Sequence, residues 1–331
     1  MIPADSPFHP DNEAGYRAWR AAKLADYPTR GEDLVVPVRD PEQLDDAEYA
    51  ALWRLIAKTN MAIYATAMGE HEDKEGPRRL SAQFGLTRLD ANWLADEDGI
   101  SSLTPQDEDA EGARRGEFIP YTHHRIRWHT DGYYNPPERR ILAMTLHRVR
   151  QADQGGENDL MDHELAYIAL RDANPDHVRA LMAPDAMTIP ARADETGVAR
   201  PDEIGPALCV RDGLLHLRYT ARTRSIAWKR DAATKAALNA LEELLDSRPA
   251  GAFTLKLQPG MGLICNNVLH TRAGFTDRSE HRRLLYRARY HDPLRNLRAE
   301  SLFQQALRRS RRRARACAPP RTPPPPPART D

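Results

Sequence analysis

Trp128-His129-Thr130-Asp131-Gly132-Tyr133-Tyr134 is a stretch where this sequence could do chemistry. In an extended segment side chains alternate with period two, so His129 and Asp131 point to one face with Cα atoms roughly 6.5–7 Å apart. Both could then reach one metal ion from the same side. Two histidines and one carboxylate on one octahedral face, with the other positions open, form the ligand set of non-haem Fe(II) oxygenases. The tripeptide does not select itself. About one His-x-Asp is expected by chance among this many histidines at ordinary aspartate frequency, and this chain of twelve histidines has three. His9-Pro10-Asp11 carries a proline near the terminus, and His71-Glu72-Asp73 sits in the charged run 70–75, which reads as a solvated loop. Only His129-Thr130-Asp131 follows a strand-like stretch, Arg125–Trp128, and enters an aromatic turn.

Two further stretches bear on it. In Gly260–Phe275 a glycine turn feeds an apolar strand that ends in Asn266, Asn267 and His270. Taken alone, a histidine at a strand end is more often a satisfied surface group than a ligand. In Arg282–Tyr290, strand alternation puts Arg283, Leu285, Arg287 and Arg289 on one face and Arg282, Leu284, Tyr286 and Tyr290 on the other. An arginine pointing into a core is costly unless an anion meets it. A dicarboxylate would satisfy such a guanidinium bidentately.

The elements that must position these residues are mostly short strands. Residues 1–40 read as an irregular, proline-rich arm with a short helix around Tyr16–Lys23. Asp40-Pro41 reads as N-cap and first-turn proline of a helix running to about Lys58, with Leu44, Leu52, Leu55 and Ile56 at helical spacing. Met61–Thr66 reads as a strand, Gly76–Gly85 as a short helix with Leu80 and Phe84 inward, and 107–115 as an exposed loop. From Glu117 onward strands dominate: Arg140–Arg150, Leu214–Thr220, Phe253–Leu257, Leu263–Asn266 and Arg282–Tyr290. Between them lie a helix capped by Asp162 and running to about Ala173, and another over Ala232–Leu245; Asn296–Leu307 closes the domain as a helix. Many strands without a βαβ rhythm predict a mainly β fold with flanking helices (α+β), built on a jelly-roll double sheet. The domain spans 41–307, and 308–331 is a disordered Arg/Pro-rich tail.

His129-Thr130-Asp131, the turn Gly155-Gly156-Glu157-Asn158, Asn267–His270 and Arg282-Arg283-Leu284-Leu285-Tyr286-Arg287 occur in that order. With them the stretch from about residue 45 to 292 resembles the Fe(II)/2-oxoglutarate dioxygenases of the taurine dioxygenase (TauD/TfdA) family, which includes γ-butyrobetaine hydroxylase. The resemblance implies a double-stranded β-helix core, with iron ligated by His129, Asp131 and His270. It implies that Arg283 binds the distal carboxylate of 2-oxoglutarate and that Arg287 meets an anionic group of the substrate. The chain departs at Asn158, where taurine dioxygenase has threonine, although asparagine can still donate to a carboxylate. The cysteine-bearing zinc module of γ-butyrobetaine hydroxylase has no counterpart among three dispersed cysteines, so substrate identity is not inherited.

Tyr133, Tyr134 and Asn135 follow the ligand pair and either line a substrate pocket or pack the turn; Tyr219 and Arg222 are weaker candidates. His123, His124, His147 and His163 lack partners at ligand spacing and read as structural or exposed, and Cys265 as core. The expected activity is hydroxylation of a small anionic molecule using Fe(II), O2 and 2-oxoglutarate as cosubstrate, with release of succinate and CO2. The competing readings are a cupin-like metal-binding protein without 2-oxoglutarate chemistry and a nonenzymatic binding protein acting through the tail.

Composition limits the partners. The 331 residues are 40% hydrophobic, and no stretch resembles a membrane span or a signal peptide. Cys209, Cys265 and Cys317 are too scattered for a disulfide framework, which points to a reducing cytoplasm. Net charge is zero, but eight arginines and a single acid fall from Arg308 onward, so forty basic and forty-seven acidic residues leave the body at about −7. Such a body disfavours nucleic acid as a partner. The expected partner is a small-molecule substrate, with a homo-oligomer left open.

Overall fold

Two sheets carry the residues of interest; strands are numbered in chain order. The structure is a computed structural model and describes residues 2–91, 95–105, 118–194, 197–222 and 225–301. The larger sheet has the order β1 (Val35–Pro37), β2 (Met61–Ala65), β8 (Met261–Cys265), β5 (Ala143–Arg150), β10 (Leu284–Tyr290) and β3 (Ser101–Leu103). The smaller has the order β7 (Ala252–Leu255), β6 (Asn158–Met161), β9 (Leu269–Arg272) and β4 (Ile126–His129). In these sheets β1 and β2 pair in parallel and the other neighbours antiparallel.

Alternation along each strand builds three apolar layers. Between the sheets, Met61, Ile63, Met144, Leu146, Leu263 and Leu285 of the larger meet Leu160 and Phe253 of the smaller. On the outer face of the larger sheet, Tyr64, Ile264 and Tyr286 pack against Leu52 and Ile56 of α2 (Asp46–Thr59) and Leu80 of α3 (Glu75–Gln83). Outside the smaller sheet, Trp128, Met161 and Leu269 pack on α4 (His163–Ala173), α5 (Pro175–Met182) and α6 (Ala232–Asp246). Each fully buried aliphatic or aromatic side chain here contributes about 1.5–3 kcal/mol. The result is the mainly β jelly-roll with flanking helices that the strand pattern predicts.

The element boundaries shift where capping chemistry competes. Helix α2 starts after Asp45, not at Asp40-Pro41, because Asp45 and Glu48 form a reciprocal capping box: the Glu48 amide donates to Asp45 Oδ1 at 2.8 Å and the Asp45 amide to Glu48 Oε2 at 2.9 Å. Asp40 closes a turn instead, accepting from the Glu42 amide. Helix α5 is not anticipated by the periodicity, although Asn174 and Pro175 supply its N-cap and first residue. An unexpected partner strand, Leu208–Arg211, pairs with Leu214–Leu217 across Asp212-Gly213, both at positive φ as a two-residue hairpin needs.

The N-terminal residues contribute α1 (Glu13–Leu24) as well as β1. Tyr16 of α1 is buried and donates to Asp172 at 2.6 Å, and Lys23 is ion-paired to Asp162 and Glu164 at the start of α4. Residues up to Leu294 form one compact unit, and in the stretch that follows 297–301 are helical. The expected loop 107–115, the rest of the closing helix and the tail 308–331 lie outside the described residues.

Candidate metal centre and anion pocket

His129 and His270 stand directly opposite one another on the adjacent antiparallel strands β4 and β9, with ring centroids 4.1 Å apart. Their neighbours Trp128 and Leu269 face the other way into the helical layer, where the Trp128 indole donates to the Leu245 carbonyl at 3.1 Å. That anchoring turns both imidazoles inward. Asp131 lies two residues beyond His129, and one ligand atom from each of the three falls within 4.8 Å of the others. Each histidine Nδ1 is 2.9 Å from a carbonyl of its own chain, Arg127 for His129 and Val268 for His270. A donating Nδ1–H at these carbonyls leaves the Nε2 lone pairs for the centre.

The charge states suit a cation. Burial, reinforced by His270, pushes His129 down to about 3, and burial lowers His270 as well, so both imidazoles are neutral. Burial alone would raise Asp131, but Arg287 and His270 hold its carboxyl well below the usual carboxylate range. Arg287 Nη1 lies 3.3 Å from Asp131 Oδ2, and that buried oxygen has no hydrogen-bond partner among the described residues. Two neutral imidazoles and an ionised carboxylate with an unbonded oxygen fit a divalent first-row metal ion.

What holds Asp131 in place is an asparagine to which strand pattern alone assigns no role. Asn267, buried and left-handed at φ 47°, accepts the Asp131 amide on Oδ1 at 2.8 Å. Its Nδ2 donates to the carbonyls of Asp131 at 2.9 Å and Ile141 at 2.8 Å. The signal was an asparagine where few residues tolerate positive φ. Gly132, at φ 61°, turns the chain away from Asp131, and a Cβ there would lie 2.3 Å from Ile141 Cγ1. Tyr219 braces the same turn, its amide donating to Thr130 Oγ1 at 3.1 Å. Asn267→Ala is expected to leave three backbone groups unpaired, lowering stability by about 1–3 kcal/mol and metal affinity about 10–100-fold. Thermal melting and Fe(II) equilibrium dialysis of the same preparation would measure both.

A second cluster lies along the interior. Arg283 is 2% exposed, its Nε has no hydrogen-bond partner among the described residues, and its guanidinium carbon sits 4.9 Å from the Phe275 ring centroid. A Cβ on Gly156 would come 3.8 Å from that Nε, so the Gly155-Gly156 turn abuts it. Burial, then the neighbouring charges of Arg148 and Arg272, hold Arg283 well below the usual arginine range. Asp277 offsets this in part, and a bound anion would stabilise the guanidinium further. Asn158 is buried, but its Nδ2 donates to the Thr271 carbonyl at 2.7 Å and its Oδ1 is left without a partner.

The remaining candidates separate. Tyr134 hydroxyl accepts from Arg289 at 2.9 Å, Asn135 Nδ2 donates to the Arg139 carbonyl, and the carbonyls of Tyr133 and Asn135 accept from Arg218. Tyr219 is core and Arg222 exposed. His147 stacks on Tyr64, His163 bonds the Leu215 carbonyl, and His123 and His124 are exposed. Of the other two His-x-Asp tripeptides, Asp11 pairs with Arg179 and Asp73 accepts first-turn amides of α3.

Known proteins resemble this chain in sequence and in fold. A uridine-5'-phosphate dioxygenase from an Amycolatopsis species is 31% identical over 170 residues, 49% of this chain and 60% of that protein, so less than two thirds of that relative is spanned. A taurine dioxygenase from Burkholderia xenovorans superposes with a TM-score of 0.52 at 19% identity, covering 80% of this chain and 89% of its own. The non-heme iron oxygenase OrfP in complex with Fe and alpha-ketoglutaric acid gives 0.52 at 17% identity, covering 76% and 81%. These structures share the fold. No helix among the described residues is long and apolar enough to cross a membrane. Residues 22–289 match the profile described as taurine catabolism dioxygenase TauD, TfdA family, and the chain belongs to that family of Fe(II)- and 2-oxoglutarate-dependent dioxygenases.

Proposed function

We propose that this chain is an Fe(II)- and 2-oxoglutarate-dependent dioxygenase that hydroxylates a small, anionic organic molecule. The observation that carries the reading is the inward trio of His129, Asp131 and His270 together with a buried arginine, Arg283, whose Nε lacks a hydrogen-bond partner among the described residues. The trio would hold Fe(II), and Arg283, with the remaining amide hydrogen of Asn158, would take the distal carboxylate of 2-oxoglutarate. Iron and cosubstrate, when bound, supply oxidation of a substrate C–H bond by O2 with loss of CO2 and formation of succinate. The protein's part is placement. The Nδ1 hydrogen bonds fix the imidazole orientations, Arg287 keeps Asp131 ionised, and the layered apolar interior limits water.

Arg287 also gives the substrate side its cationic group, since its Nε is buried and without a hydrogen-bond partner among the described residues. Tyr133, Tyr134 and Asn135 would shape that side by ring faces and backbone, because their polar groups already serve the protein. The name of the Amycolatopsis relative makes nucleoside 5'-phosphates the first substrates to assay. A cupin-like metal protein without 2-oxoglutarate leaves the burial of Arg283 unaccounted for.

The test is anaerobic addition of Fe(II) and then 2-oxoglutarate to the apoprotein. A visible charge-transfer absorption that is lost in His129→Ala is expected. A folded protein that binds Fe(II) without developing the band would sink the reading. Deleting residues 308–331 should leave the band and turnover intact, whereas a protein acting through its tail would lose its activity.

A further inference from the structure

The interior holds buried guanidiniums that the proposed cosubstrate site has not used. Arg148 of β5 is 2% exposed, its Nε has no hydrogen-bond partner, and among the described residues its side chain makes no ion pair. Strand alternation with Met144 and Leu146 turns it inside, and a β-bulge follows it: Leu285 pairs with Arg148 and Leu284 with Arg150, leaving Val149 unpaired. Val149 then packs in the outer layer, and Arg150 reaches Glu72. Arg148 therefore points inward opposite Leu285, one diagonal step from Arg283, a spacing that long side chains bridge.

Its head lies at the Arg283 end of the interior. Among neighbouring charges Arg148 acts most strongly on Arg283, and is itself influenced by Asp277 and Glu157, not by the Arg287–Asp131 pair. The third arginine there, Arg272, needs no ligand, because it donates to the carbonyls of Ile119, Pro120, Thr122 and His124. Phe275 takes the guanidinium carbons of Arg272 and Arg283 at 5.0 and 4.9 Å from its ring centroid. Arg148 and Arg283 remain as two buried guanidiniums with donors to spare, and the two oxygens of one carboxylate can accept from both. Asn158 has meanwhile turned an amide hydrogen to Thr271.

We propose that Arg148 is a second guanidinium for the distal carboxylate of 2-oxoglutarate, supplying the donor that Asn158 directs to the backbone. This rests on the dioxygenase reading and extends it to a residue on the neighbouring strand β5. Without cosubstrate, a buried charge lacking a close partner destabilises the fold, so removing it should stabilise the empty protein while weakening the complex.

The probes are 2-oxoglutarate and 2-oxopentanoate, which has the same chain length but no distal carboxylate. Both are titrated anaerobically into the Fe(II) protein by charge-transfer absorption. In Arg148→Met the Kd for 2-oxoglutarate should rise by about ten- to a hundredfold while that for 2-oxopentanoate stays unchanged. The melting temperature of the ligand-free variant should rise by about 2–4 °C. An equal loss for both ligands, an unchanged ratio, or a lower melting temperature would assign Arg148 to the fold and overturn the proposal. Should Arg148→Met fail to fold, which also counts against it, Arg148→Lys repeats the ratio test with charge retained. A wild-type protein that does not prefer 2-oxoglutarate to 2-oxopentanoate would instead overturn the cosubstrate site itself.

Discussion

Replacing His270 with alanine is expected to abolish Fe(II) retention and reduce turnover by on the order of 10³-fold or more, the scale on which members of one catalytic unit act. His270 is the cross-strand partner of His129, and both present Nε2 toward Asp131 because their Nδ1 atoms are held by carbonyls two residues back. Without His270 the centre offers one imidazole and one carboxylate, and Asp131 is left to close on Arg287, which already lies 3.3 Å away. That pair is a stable end point with no place for a metal, so the loss should not be rescued by excess Fe(II). The fold should survive, because the neighbour that anchors β9, Leu269, packs on the opposite face. His147→Ala is the control: His147 stacks between Tyr64 and Tyr286 on the outer face of the larger sheet and should leave Fe(II) binding unchanged. Metal content after anaerobic gel filtration, with circular dichroism of each variant, decides the matter. Full iron retention by a folded His270→Ala protein would remove His270 from the centre.

The second large effect is on stability. Lys23→Met should destabilise the protein by about 3–5 kcal/mol, the usual result of breaking a buried ion pair from one side. The Lys23 Nζ lies 2.6 Å from Asp162 Oδ2 and also contacts Glu164, with Lys23 and Asp162 almost fully buried. Asp162 caps α4, and it accepts from Asn60 at 3.0 Å and Tyr27 at 3.3 Å. One carboxylate thus joins α1, the end of α2 and the start of α4, directly after the strand β6 that flanks His270. Removing the ammonium leaves two carboxylates close together in a dry site. A fall in Tm of roughly 10 °C follows for a domain of this size.

The pH dependence has a definite sign. Burial lowers the Lys23 pKa, but the pull of Asp162 and Glu164 exceeds it, so the folded value lies above the ordinary one. A group with a raised folded pKa stabilises fully below its unfolded pKa of about 10.4 and loses that contribution as pH rises through the folded value. Wild-type stability should therefore fall above about pH 10.4 by more than that of Lys23→Met. Melting curves that stay parallel for the two proteins across that range would show that the pair contributes nothing.

Much of the fold was legible because it is written in short-range pattern. The alternation Arg283, Leu285, Arg287 against Leu284, Tyr286 placed β10 correctly between two apolar layers. Asp162 marks a helix start by chemistry that acts within three residues. The same locality misled at Asp40-Pro41, where a plausible cap lost to the capping box at Asp45, worth two hydrogen bonds instead of one.

By itself the sequence determined residue types, periodicity and motif order; the family resemblance that these carry implied three metal-binding side chains, and strand alternation an inward arginine. Only the tertiary structure decided which groups meet. His129 faces His270 because β4 and β9 pair in one register, and a slip by one residue would turn one imidazole into the helical layer. Asn267 reaches the Asp131 backbone across 136 residues of chain, and Arg148 comes within a diagonal step of Arg283 because β5 and β10 pair with Arg148 opposite Leu285. No local pattern encodes such contacts. They follow from strand pairing and burial, which are free-energy differences of the whole chain, and burial is also what turns an ordinary arginine into one that requires an anion.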